Sequence, residues 1–266
     1  MITFTYAQLL AWLAAFIWPT TRLLALFATA PFFNNSVIPN MVKIGIAVLL
    51  SVIIAPNLPA LPAVSVASTE GLFIMAQQIV IGAAIGTVMQ IVFAAVEAAA
   101  DMAGLQMGLS FAQLYTGSTD GSTDVMSRLM NMIAVLAFLS IDGHLQMLGV
   151  LLDSFYRIPI ADTPLSALGL RTLVVWGGTI FSSGLLLALP IIIALLTVNL
   201  ALGVLNRAAP QIGVFQVGLP VTLSVGFLML QWMTPNLMPF FERLFADGMD
   251  ALARVISGLG PVSGPG

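Results

Sequence analysis

Long apolar runs broken by single charges dominate this chain. A helix needs about 20 mostly apolar residues to cross a bilayer, and the charges cut the chain into runs of that order. Residues 1–21 and 23–42 are uncharged, so two helices are expected to meet at Arg22, with Pro19 and Pro31 as kinks or ends. The first apolar run lacks the positive region of a secretory signal, so Met1 is expected to open the mature first helix. Ile44–Thr69 is also uncharged, but Pro56, Pro59 and Pro62 make its second half an extended loop. A long helix is expected from Gly71 to Val96, continuing to about Met102. Gly104 to Asp124 breaks into a stretch rich in Gly, Ser and Thr (GLSFAQLYTGSTDGSTD).

Val125–Ile141 is the next helix, followed by a polar turn at Asp142-Gly143-His144 and a helical segment Leu145–Tyr156 that stops before Pro159. Thr172–Asn206 and Ala208–Phe241 are two long uncharged runs split by Arg207, with Pro190 and Pro220 near their centres. They predict a kinked antiparallel hairpin around LNRAAPQ. From Glu242 to Ile256 the pattern changes. Phe245, Met249, Leu252 and Ile256 share one helical face, and Glu242, Asp247, Asp250 and Arg254 lie elsewhere. That predicts a short amphipathic helix, interfacial or bound to a partner. The tail 257–266 is rich in Gly and Pro and is expected to be disordered.

Composition strengthens the membrane reading. Only 7% of the 266 residues are charged and 59% are hydrophobic, whereas a soluble domain carries about 25% charged residues. A net charge of −3 with eight basic residues provides no basic patch, so nucleic acid is not expected as a partner. The absence of cysteine excludes disulfides and thiolate metal sites, and a lone histidine, His144, excludes a multi-histidine metal centre. No cofactor is implied. Basic residues are scattered one per loop, so loop charge gives no orientation. The expected fold class is all-α, built from membrane-type helical hairpins.

Four features could carry function. Gly82 and Gly86, followed by Ala94 and Ala98, repeat small residues every fourth position, a spacing that lets helices approach closely. They serve either packing within the chain or a seam against other subunits. Glu97 and Asp101 share one helix face, which allows either a proton or cation site or a boundary with water. Asp142-Gly143-His144 has acid/base chemistry available, but no nucleophile or metal set accompanies it, and a turn accounts for it. In the mid-chain stretch, Met107, Phe111, Leu114 and Tyr115 stand among glycines and hydroxyl residues. Irregular backbone at membrane depth persists only when buried in protein or lining a cavity. Bulky side chains there could close a pore by dewetting; the other reading is an external loop.

The run NRAAPQIGVFQVGLP, from Asn206 to Pro220, resembles the signature of the FliR family of flagellar type III export-gate proteins. Within it stand Arg207, Pro210, Gln211, Phe215 and Pro220. Other positions resemble the family too: Arg22, Pro31, Pro39, Lys43 and Pro56; Met107-Gly108-Leu109-Ser110-Phe111; Gly143-His144; Ser154-Phe155; Pro190, Asn199 and Gly203. The resemblance covers about residues 8–245. One departure is Thr116-Gly117, where the family often has Asp-Pro; the missing proline implies a more flexible loop.

The resemblance implies a FliP-like portion at 1–165, carrying a plug loop at about 104–124, then a FliQ-like two-helix hairpin at 166–245 and a terminal segment at 246–266. It implies assembly with FliP-like and FliQ-like subunits into a helical gate in the bacterial inner membrane, at the flagellar basal body. FlhB-like and FlhA-like export proteins would be further partners, lipid would surround the assembly, and unfolded flagellar subunits would pass through it. The helices would then be lifted largely out of the bilayer plane, and the plug would fall on Met107, Phe111, Leu114 and Tyr115. No enzymatic activity is implied. The injectisome relatives of the family share the fold, so a virulence export gate is an alternative. A proton-coupled transporter using Glu97 and Asp101 is another, but such proteins usually carry inverted repeats, and the two halves do not match. A membrane enzyme centred on His144 is the third.

Overall fold

A computed structural model describes residues 6–34, 38–59, 62, 64–109, 125–209 and 214–260. Its helices are α1 (Tyr6–Thr29), α2 (Asn40–Ile54, followed by a 3-10 turn Ala55–Asn57), α3 (Thr69–Met107), α4 (Val125–Ser140), α5 (Gly143–Arg157), α6 (Ala167–Trp176), α7 (Thr179–Ala208) and α8 (Val214–Leu259). No strand occurs among the described residues. Among the described residues, four segments are long and apolar enough to cross a membrane: Asn40–Asn57, Thr69–Met107, Ala167–Ala208 and Val217–Leu259. The fold is all-α and of membrane type.

The break expected at Arg22 is absent. α1 runs through both Pro19 and Arg22 to Thr29. The hydroxyls of Thr20 and Thr21 donate to the carbonyls of Phe16 (2.6 Å) and Ile17 (2.8 Å), adding bonds in the turn where proline supplies none. The charge of Arg22 is taken up inside the protein, so it marks no loop. The next helix accordingly starts at Asn40, directly after Pro39, and not at Leu23. α3 runs past the expected end near Met102, and its last turn takes in Gly104 to Met107. The run expected as one helix from Thr172 is interrupted at Gly177 and Gly178 into α6 and α7, but both glycines keep right-handed helical angles and Ala167–Ala208 remains one apolar segment. At Glu242 only the surface character changes; α8 continues unbroken through Pro220, Pro235 and Pro239 to Leu259. The tail 257–266 is therefore helical up to Leu259, and residues 261–266 lie outside the described set.

The chain forms two compact units, each discontinuous in sequence. The first comprises Met1–Ile91, Asp142–Gly177 and Ala246–Gly266; the second comprises Val92–Ile141 and Gly178–Phe245. In the first unit α3 lies directly on α1. A Cβ on Gly82 would collide with the Arg22 carbonyl and stand 2.9 Å from Ala25 Cβ, and one on Gly86 would collide with Thr29 Oγ1. Trp18, Leu26, Ile81 and Ile85 fill the core beside this seam. α2 joins α1 through a 2.8 Å hydrogen bond between the hydroxyls of Thr20 and the buried Ser51.

The end of α8 also belongs to the first unit. A Cβ on Gly169 of α6 would stand 2.6 Å from Leu259 N, and one on Gly258 would stand 2.9 Å from Gly169 Cα. Ser166 caps α6 with its side chain and donates its backbone N–H to the Leu259 carbonyl. The amphipathic pattern read from the sequence is present here. Leu252 and Ile256 are buried, Met249 is half-buried, and Asp247, Asp250 and Arg254 are exposed. The apolar face is thus covered by this chain's own helices, where an interfacial or partner-bound helix was expected.

The second unit is held by apolar contact. Phe93, Phe138, Phe241 and Phe245 form a buried cluster, with the Phe138 and Phe245 rings 5.1 Å apart and Phe93 and Phe138 edge to face at 5.6 Å. α7 reaches α3 at Gly184, where a Cβ would stand 3.0 Å from the Ala95 carbonyl and 3.3 Å from Ala98 Cβ.

Candidate functional site

The mid-chain stretch begins where α3 ends. Met107 is the last residue of that helix, and Gly108 follows with φ of 82°, a left-handed conformation that glycine reaches without penalty and that commonly ends helices. The Gly108 N–H donates to the Leu105 carbonyl at 3.1 Å. The Met107 side chain is fully buried and does not hang from a loop as expected. It fills a notch on α8: a Cβ on Gly226 would stand 2.6 Å from Met107 Cγ and 2.8 Å from its Sδ. One turn earlier, Thr222 Oγ1 lies 3.1 Å from both the Met107 carbonyl and the Leu219 carbonyl, to which its single proton is shared. The other three residues expected on the plug, Phe111, Leu114 and Tyr115, lie outside the described residues.

Within the signature run, Pro210 and Gln211 also lie outside the described residues; Phe215 is in the first turn of α8. Arg207 is exposed in the last turn of α7, where a cation complements the helix dipole. Pro220 is exposed inside α8 and, two residues before Thr222, begins the turn that meets Met107. The small-residue series divides between the two units. Gly82 and Gly86 face α1, Ala98 faces Gly184 of α7, and Ala94 is half-buried.

A second polar centre was read from the sequence only as a helix break. Arg22 is fully buried, and among the described residues none of its partners is a carboxylate. Its Nε donates to Gln78 Oε1 of α3 at 2.8 Å, and its two terminal nitrogens donate to Ser154 Oγ of α5 and the Ile158 carbonyl, each at 3.0 Å. The guanidinium lies 4.2 Å from the centre of the Phe155 ring, a cation–π contact that gains strength when desolvated. Burying an unpaired charge is expensive, so three directed bonds and an aromatic face must offset it. The available signal was the lone arginine itself, because an ionisable residue inside an apolar run marks a specific site by default.

Asp101 is exposed and accepts a hydrogen bond from Ser127 Oγ, and Glu97 is half-buried. Asp142 adopts the left-handed region (φ 56°) between α4 and α5, as short polar side chains tolerate. His144 sits in the first turn of α5 with Phe32 as an aromatic neighbour at 6.0 Å. The tripeptide is a turn into a helix.

In the second unit, α4 and α8 line an open apolar pocket of about 560 Å³, with Leu129, Ile133, Leu136, Phe227, Leu230 and Met238 among its residues. On α7 much of the apolar surface faces outward: Phe181 is 72% exposed and Leu200 is 71% exposed.

With this geometry in view, comparison with known proteins gives a consistent result. The model of a family described as bacterial export proteins, family 1, matches residues 13–248. A relative from Pectobacterium carotovorum subsp. carotovorum, named flagellar biosynthetic protein FliR, is 45% identical over 259 residues, covering 97% of this chain and 99% of that protein. The protein of the same name from Escherichia coli (strain K12) is 44% identical over the same shares of both chains. A more distant one from Aquifex aeolicus (strain VF5) is 28% identical over 226 residues, covering 85% and 87%.

Proposed function

Because this chain belongs to the bacterial export proteins, family 1, with FliR relatives matching nearly its whole length, we propose that it is a non-enzymatic, pore-forming subunit of the flagellar protein export gate. Membership makes it a component of the flagellar export apparatus. The subunit sits in the bacterial inner membrane at the basal body. Residues 1–165 act as a FliP-like portion, 166–245 as a FliQ-like hairpin, and 246–266 as the closing segment. FliP-like and FliQ-like subunits complete the pore, with FlhB-like and FlhA-like proteins beside it. Unfolded flagellar subunits pass through, and lipid surrounds the assembly.

The observation that carries this reading is the outward face of α7. The Ala167–Ala208 segment is the most apolar of the four membrane-length segments among the described residues, with a mean hydropathy of 2.6, yet only 22% of its most apolar window is buried. Contiguous exposed apolar surface of that kind is stable only against lipid or another protein. A neighbouring subunit and a bilayer both satisfy that demand, and a gate complex supplies both.

The mechanism is steric. Phe111, Leu114 and Tyr115 close the pore from a segment rooted at Met107, and a substrate chain displaces them. Apolar constrictions of this type hold back ions by excluding water. The test is ion leakage through membranes of cells expressing the complete gate. Phe111→Gly and Tyr115→Gly are expected to raise leakage with the complex still recovered at normal yield. Unchanged conductance in both variants would remove the plug.

A further inference from the structure

The contact between α3 and α8 at Met107 has a role that packing alone does not require. A helix leaves its last carbonyls without partners inside the helix, and the carbonyl of Met107 is met here by a hydroxyl from a different helix, Thr222 Oγ1, at 3.1 Å. Four residues further along α8, Gly226 leaves the space that the Met107 side chain fills to within 2.6–2.8 Å of where a Cβ would stand. Thr222 and Gly226 lie on one helix face, as residues four apart do. Between them they hold the backbone and the side chain of one residue. Gly108, with φ of 82°, then turns the chain out of the helix.

We propose that Thr222 and Gly226 are positioning residues for the mid-chain segment: they fix the place and direction in which the chain leaves α3 ahead of residues 110–124. This rests on the plug reading above for its functional consequence, but not for its structural one. The proximity of Pro220 fits the role. Proline removes a backbone N–H from α8 at the turn where the Thr222 hydroxyl divides its proton between its own helix and α3.

Absence of cysteine from the natural chain permits a direct readout. Ser118→Cys is introduced as this chain's single thiol, and the rate at which this chain within the gate complex is labelled by a soluble maleimide is measured. Gly226→Ala places a methyl group where the Met107 side chain lies and is expected to change the labelling rate about fivefold or more, the effect of overpacking one buried contact. The double variant Gly226→Ala with Met107→Ala relieves the clash but also removes the seated side chain, and is expected to keep an altered rate. Thr222→Val is expected to change the rate about fivefold, the effect of one lost hydrogen bond, while Thr222→Ser keeps the hydroxyl and is expected to retain the parent rate. Complex yield is monitored throughout, so that rescue by serine separates positioning from general damage.

Identical labelling in the Gly226→Ala and Thr222→Val complexes would overturn the proposal. Ion leakage measured on the same variants separates the two ideas. If Phe111→Gly leaks and labelling is unaffected by Gly226→Ala, the positioning role fails and the plug stands. If labelling shifts and Phe111→Gly does not leak, the positioning role stands and the plug fails.

Discussion

α3 and the α6–α7 segment are nearly equal in apolar character and opposite in use. Their most apolar windows have mean hydropathies of 2.3 and 2.6, yet 67% of the first is buried within the chain and 22% of the second. The difference lies in side-chain size at the contacts. α3 presents Gly82, Gly86, Ala95, Ala98 and Ala99 to its neighbours, so other helices settle onto its backbone. α7 turns Phe181, Leu186, Leu200 and Val204 outward, and Gly203 has nothing within 4 Å of a built Cβ. Hydropathy alone measures how much apolar surface a helix has. Where that surface is spent depends on which residues are small enough for close approach.

Matched glycine substitutions break this comparison most sharply. Gly82→Leu forces a side chain into the Arg22 carbonyl and the Ala25 side chain. It is expected to destabilise by about 3 kcal/mol or more, seen as loss of folded protein from detergent extracts. Next comes Arg22→Met, which keeps an apolar stem but leaves Gln78 Oε1 and the Ile158 carbonyl buried without their donor. A cost of about 2–3 kcal/mol is expected, read as a lower melting temperature of the purified complex. Leu200→Asp on the outward face of α7 is expected to leave the chain's own fold intact and to lower recovery of the assembled complex about tenfold, because a carboxylate in lipid or at a subunit contact costs at least 1.4 kcal/mol. The smallest effect belongs to Gly203→Ala. The chain itself is expected to gain up to about 1 kcal/mol from better helix propensity, so reduced stability of the isolated subunit would mean that α7 is buried within the chain after all.

The same contrast explains what was legible in the sequence. The all-α membrane character follows from long uncharged runs, and the amphipathic split of 242–256 follows from helical spacing, so both were readable. Gly82 and Gly86 could be singled out by spacing, but the partner they approach could not, because α1 is distant in sequence. A charge in an apolar run reads as a boundary, and only long-range partners on α3 and α5 turn Arg22 into an interior residue. Met107 was placed on the loop because its run of glycines and serines reads as irregular, and the side chain's seat beside Gly226 is a contact between residues more than a hundred positions apart. The signature around Pro210 and Gln211, and the residues Phe111, Leu114 and Tyr115, were recognised by resemblance to a family and lie outside the described residues. Local rules thus located the elements, while the contacts that give them roles are long-range.

The central claim is that the outward apolar surface is completed by other gate subunits. The most direct measurement is purification of this chain by a tag on its C-terminal tail, in mild detergent, from cells that express the export apparatus, followed by identification of everything recovered in stoichiometric amount. One discrete complex containing FliP-like and FliQ-like proteins is the expected result. A lone monomer or homodimer from the same cells would contradict the account and leave lipid as the only cover for α7.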